Sequence, residues 1–205
     1  MSLKNFLKAS CLAITLAIGA QPSTASSGPS PEELVSDFHV ALLGTMKQAS
    51  TTAVKQRFEM LQTAITEGFH LPLMIQVASS SYWRKASETQ RDNLIAAFSR
   101  LSIATYAAQF DGYSGQSFET LGNKPGPQET ILVNTQIVNP GSDNVALTYV
   151  TRKIKGNWRI IDVLLDTGIS QLAQRLSEYR QVLKSGGVDG LVHMLNDKAD
   201  ALLTN

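Results

Sequence analysis

The sequence predicts an α+β fold in which a curved antiparallel sheet of about four strands packs under helices. Three observations carry this. Apolar residues recur at helical spacing through the first half, alternate with a period of two from Ser117 to Leu165, and return to helical spacing in the last segment. Helices, then strands, then helices in one chain of this size gather the helices on one face of the sheet.

Ser30-Pro31-Glu32-Glu33 is a strong helix start. Ser30 caps, Pro31 suits the first helical position and Glu33 completes a capping box. Leu34, Phe38, Ala41, Leu42 and Met46 follow at helical spacing, predicting a helix over residues 31–49. Val54, Phe58, Leu61 and Ile65 predict a second helix ended by Gly68, and a short third follows Pro72. Ser87-Glu88-Thr89-Gln90 is another capping box. The stripe Leu94, Phe98, Leu101, Thr105 and Tyr106 carries its helix to about Ala108. Phe118, Ile131 to Ile137, Val145 to Tyr149 and Trp158 to Leu165 predict four strands. Turns at 139–143 and 155–157 join them into a meander. Residues 168–184 return to helix, Gly186-Gly187 break it, and 188–203 form the last helix.

Lys4 and Lys8, the apolar run Ala9 to Ala20 and the small, polar stretch that follows predict a secretory signal. The run is 12 residues long, whereas a membrane span needs roughly 20. Cleavage after Ala20 and after Ala25 both fit, and the second is preferred. The expected organisation is a signal peptide over 1–25, a disordered leader over 26–30 and one domain over 31–205. Cys11, the only cysteine, falls inside the apolar run. The mature chain therefore has no disulfide or thiolate chemistry and folds on its core alone. A chain of this size buries roughly 70% of its unfolded surface, enough for one ordinary core.

Without Lys4 and Lys8 the 18 basic residues fall one short of the 17 acidic ones, evenly mixed. Nucleic acid is not an expected partner: the densest basic stretch, Arg152-Lys153-Ile154-Lys155, sits at a hairpin end, where charge discourages edge-to-edge pairing. His39, His70 and His193 show no metal-ligand spacing, and no cofactor or catalytic constellation is implied. Asp162 and Asp166, read as one face of a strand, stand about 13 Å apart by strand rise, too far to share a proton. Between Ile160 and Leu165 only Asp162 is polar, so this strand is apolar on both faces. Helices wrapping past the sheet edge, a thick ordinary core, or a ligand filling part of the interior all account for that. Phe69, Trp83, Phe98, Tyr106, Phe110 and Tyr113 lie along the helices that should roof the sheet.

An ordered set of segments resembles the periplasmic MlaC-like (toluene-tolerance, or ABC-transporter auxiliary) family. It starts with Gly68-Phe69-His70-Leu71-Pro72-Leu73-Met74, Tyr82-Trp83, and Gln90-Arg91 through Phe98 to Thr105-Tyr106. It continues with Tyr113-Ser114-Gly115-Gln116, Trp158-Arg159-Ile160-Ile161-Asp162-Val163 and Gly168-Ile169-Ser170. Tyr179-Arg180 and Gly187-Val188-Asp189-Gly190-Leu191 complete it. The resemblance implies a fold similar to the nuclear-transport-factor-like (NTF2-like) class, with a cavity taking phospholipid acyl chains while the headgroup faces water. It implies traffic between outer-membrane and inner-membrane complexes, the latter including a hexameric lipid-binding ring and an ABC transporter. The family usually has Asp where His70 stands. The tail from Tyr179 to Leu203 is closest to a hopanoid-associated branch, which would make the cargo a hopanoid.

The expectation is thus a periplasmic, monomeric lipid carrier of phospholipid or hopanoid. On the apolar stripes and the family's cavity position, Leu73, Val77, Trp83, Phe98, Tyr106, Phe110, Tyr149, Val163 and Leu165 would line its cavity. Two other classes stay open: an NTF2-like isomerase or lyase using Asp162 or Asp166, and an envelope scaffold of the hopanoid pathway with a filled core. A pocket of several hundred Å³ separates the carrier from the scaffold.

Overall fold

Ser30 and Glu33 cap the first helix reciprocally. The Ser30 hydroxyl accepts from the Glu33 amide at 3.2 Å, and the Ser30 amide donates to Glu33 Oε2 at 2.7 Å. The computed structural model describes residues 28–166 and 168–204, so the expected signal peptide and the start of the expected leader lie outside the described residues. Helix α1 (Pro31–Gln48) leads through a 3-10 turn, Ala49–Thr51, to α2 (Val54–Gly68). Two short helices follow, α3 (Leu71–Ser79) and the unpredicted α4 (Ser81–Lys85). At α3 the His70 Nδ1 accepts from the Leu73 amide at 3.0 Å. The imidazole thereby caps the helix as an aspartate would, but only while that nitrogen is unprotonated. Burial and the nearby charges of Arg159 and Lys155 lower its pKa, outweighing an opposing backbone hydrogen bond, and so favour this form. The long α5 (Glu88–Gln109) starts at the Ser87–Gln90 capping box.

Four long strands form the predicted meander: β1 (Ser117–Pro125), β2 (Thr130–Val138), β3 (Val145–Ile154) and β4 (Asn157–Leu165). A two-residue strand, β5 (Ile169–Ser170), adds to the edge of β4, giving the antiparallel order β1-β2-β3-β4-β5. Phe69 makes a parallel bridge to Ile160, and the His70 amide donates to the Ile160 carbonyl at 2.8 Å. The free side of β4 is thus covered at one end by the α2–α3 connection and at the other by β5. The opposite edge, β1, is open and mostly exposed, but it carries the devices that discourage pairing: a bulge before Gly122, then Lys124 and Pro125.

A second bulge changes the sense of the apolar run in β4. Val150 pairs with Asp162 but Thr151 with Ile160, leaving Ile161 as the extra residue. Ile160 and Val163, three apart, would face opposite sides of a regular strand; the bulge lets both be buried. Two apolar faces are therefore not needed. Asp162 turns the other way and holds the next helix, α6 (Gln171–Thr204). Its Oδ1 accepts from the Leu172 amide at 3.0 Å and the Val163 amide at 2.8 Å. Its Oδ2 accepts from the Ser170 hydroxyl at 2.5 Å, and that hydroxyl accepts in turn from the Ala173 amide at 2.9 Å.

Helix α6 packs chiefly along α5 and also meets α3. At the centre of the core, Phe38 meets Phe69 and Tyr106 edge-on, with ring centroids 5.0 and 5.3 Å away, and Tyr149 at 6.1 Å. One ring thus joins α1, the α2–α3 connection, α5 and β3.

The predicted break in the last helix lies at Gly187, with φ 63° and ψ −157°. Only glycine adopts this combination readily. Gly187→Ala should therefore cost about 1–3 kcal/mol. Gly186→Ala, where φ is not positive and an added Cβ would meet nothing within 4 Å, should cost nothing measurable. Urea denaturation of the two variants checks the contrast.

Candidate ligand cavity

The inner face of the sheet is not completely filled by the helices above it. Between them lies a cavity of about 220 Å³. Its floor is Ile137 of β2, Val145, Leu147 and Tyr149 of β3, and Val163 and Leu165 of β4. The register explains the set, because Ile137 pairs with Val145, Leu147 with Leu165, and Tyr149 with Val163. Its roof is Ile65 of α2, Phe69, Leu71 and Met74 around α3, and Ser102, Tyr106 and Phe110 along α5. Phe110 stacks on Tyr106 at 5.8 Å, which keeps one aromatic wall continuous.

Apart from Ser102 in the roof and the two tyrosine hydroxyls, the polar residues of this lining gather on one side. Thr105, Gln109, Gln171 and Arg175 line the cavity and also an adjoining cleft of about 390 Å³ between α5 and α6. The cleft is otherwise bounded by Leu101, Gln174, Glu178, Lys198, Ala201 and Leu202. Several of these are exposed, so an apolar chamber opens through a polar neck to the surface.

One polar pair lies beside the floor. His39 of α1 is buried, stacks on Phe118 at 4.3 Å and shares a hydrogen bond of 3.0 Å between its Nε2 and Tyr149 Oη. Burial pushes the Tyr149 and Tyr106 hydroxyls up from their usual range, keeping both protonated. It pulls His39 down to about 4, so the imidazole is neutral at physiological pH.

Of the nine residues expected at a cavity, Tyr106, Phe110, Tyr149, Val163 and Leu165 come together here. Leu73, Val77, Trp83 and Phe98 lie elsewhere. Helix α3 buries Leu71, Met74, Ile75 and Ala78, one face of a 3.6-residue period, and leaves Leu73 half-buried and Val77 46% exposed on the other. Trp83 sits on α4 with the Arg91 guanidinium 5.6 Å from its ring. Phe98 is fully buried in the α5–α6 packing, with the Arg175 guanidinium 5.6 Å above its ring. The neck residues Gln109, Gln171 and Arg175 were not among those expected. Their only trace in sequence is polar residues at helical spacing, which a solvated face also produces.

The carboxylates considered for chemistry do not meet in the cavity. Asp162 is engaged by three donors as the anchor of α6, as described above. Asp166 is not on the strand, as expected, but beyond its end in a turn, exposed, with φ 45°.

A roofed antiparallel sheet with an apolar chamber and a polar mouth defines a class: α+β proteins with a cavity between sheet and helices. Residues 36–197 match the family model described as MlaC protein, and the chain belongs to that family. The structure is also similar to that of a phospholipid-binding protein from Ralstonia solanacearum, solved in complex with a phospholipid. The TM-score is 0.71 at 22% identity, over 83% of this chain and 95% of the other. Among the described residues, no helix is long and apolar enough to cross a membrane.

The buried imidazole has a measurable consequence. The unfolded chain binds a proton at His39 below pH 6.5 and the folded protein only below about 4. Between these values the unfolded state holds more protons, so stability falls as the pH is lowered through the window, by about 3 kcal/mol at its lower end. His39→Gln, which can still hydrogen-bond but cannot titrate, should lose correspondingly less between pH 7 and pH 4 in urea denaturation.

Proposed function

We propose that this protein is an exported carrier that encloses the acyl part of a phospholipid in the cavity between sheet and helices. The observation that carries this is the segregation of the lining, with a mainly apolar interior and Thr105, Gln109, Gln171 and Arg175 gathered at the mouth. A chain of about 16 carbons leaving a bilayer forfeits roughly 12 kcal/mol at about 0.8 per methylene, which only continuous apolar surface offsets. Tyr106, Phe110, Tyr149, Val163 and Leu165 supply part of that surface. At about 220 Å³ the cavity is smaller than the roughly 300–1,000 Å³ usual for small-molecule sites, so loading widens it, with the cleft taking the headgroup.

Membership of the MlaC family and the phospholipid held by the Ralstonia solanacearum protein support phospholipid as the cargo. The hopanoid branch draws no support from either. On this reading residues 1–25 direct export to the periplasm and are removed there. The single domain over 31–205 shuttles as a monomer between an inner-membrane lipid transporter and an outer-membrane partner. The three donors on Asp162 favour a carrier over an isomerase or lyase, because they commit the carboxylate to anchoring α6.

The mature protein purified from its native envelope without detergent should release about one phospholipid per chain on solvent extraction, identified by mass spectrometry. Leu165→Arg, with a charge on the cavity floor, should retain at least tenfold less while remaining folded by circular dichroism. A hopanoid in the extract would replace phospholipid as the cargo. A wild-type protein that carries no lipid and takes none from vesicles would overturn the carrier.

A further inference from the structure

Resting on the carrier reading, we propose that Arg175 recognises the phosphate of the bound lipid and makes the site selective for phosphate-bearing over neutral lipids. Arg175 projects from the first limb of α6 and lines both the cavity and the outer cleft, so it stands where an enclosed acyl chain gives way to polar groups. It is half-buried. Its partners are neutral: Nη1 donates to Tyr179 Oη at 3.2 Å, and the guanidinium lies 5.6 Å over the Phe98 ring.

Other cations in this region are paired. Arg100 meets Asp200 at 2.5 Å, and Lys198 of the same cleft lies 3.8 Å from Glu178. Arg175 forms no ion pair among the described residues. A guanidinium has five N–H donors, and none of the nitrogens of Arg175 is both buried and unbonded, so the unused donors are accessible. Tyr179 and Phe98 hold the fork in place without neutralising it. A planar, fixed, uncompensated guanidinium suits two oxygens of one phosphate. Hydration of the mouth alone would be served by Thr105, Gln109 and Gln171, which are uncharged. The cation adds discrimination.

Delipidated protein is incubated with vesicles containing equal amounts of dioleoylphosphatidylglycerol and dioleoylglycerol, which share their chains and differ in the phosphate. The recovered protein is then extracted and both lipids are quantified. Wild type should favour the phospholipid about tenfold or more, as one charge-assisted bidentate contact supplies. Arg175→Gln should bring the ratio to within about twofold, the loss falling on the phospholipid. Arg175→Met, which keeps the stem over Phe98 and removes the charge, gives the same reading should the amide fail to fold. A variant that keeps the wild-type ratio overturns the proposal, as does equal loading of the two lipids by wild type. Uptake of neither lipid by wild type overturns the carrier reading itself, and so separates the two failures.

Discussion

The Phe38 ring is the contact on which the remaining architecture depends. Its edge-on packing against Phe69, Tyr106 and Tyr149 joins α1 to the α2–α3 connection, to α5 and to the middle of the sheet. Fully burying such a ring contributes on the order of 1.5–3 kcal/mol, and favourable aromatic geometry adds to it. Its more important effect is positional. With the helices pinned to the sheet at this point, the inner face towards Leu147 and Leu165 is roofed but not packed solid, and the chamber is the space that remains.

One departure from regular strand geometry makes that chamber usable. The bulge at Ile161 brings Ile160 and Val163 onto the inner face together, so β4 contributes to both core and cavity floor. The same bulge leaves Asp162 on the other side, where its carboxylate anchors the Ser170 turn and the first amides of α6. One local irregularity thus sets the floor and also fixes where the helix carrying Gln171 and Arg175 begins. The neck is a consequence of that start: Gln171 and Arg175, one helical turn apart on α6, face Thr105 and Gln109, one turn apart on α5.

Much of this was legible from residue order. Both Ser capping boxes, the breaks at Gly68 and Gly187, and the switch from a period of 3.6 to a period of two place α1, α2, α5, α6 and the meander. These signals are local, and neighbouring residues suffice to express them. Helix α4 was missed because five residues carry less than two turns of periodicity. Strand β5 was missed because a two-residue strand exists only through its partner, β4. Which face of α3 looks inward was not readable either. In Leu71-Pro72-Leu73-Met74-Ile75-Gln76-Val77-Ala78 nearly every position is apolar, so there is no polar face to point outward, and Leu73 and Val77 read the same as Leu71 and Met74.

What the sequence determined by itself was the identity and order of the elements, because caps, turns and apolar spacing act over three or four residues. Tertiary structure alone decided the bulge at Ile161, the pairing of His39 with Tyr149, and the meeting of Arg175 with the cavity mouth. Each depends on groups far apart in the chain, His39 and Tyr149 by 110 positions. Their approach is set by how a twisted sheet and its helices pack, which no local pattern of residues encodes.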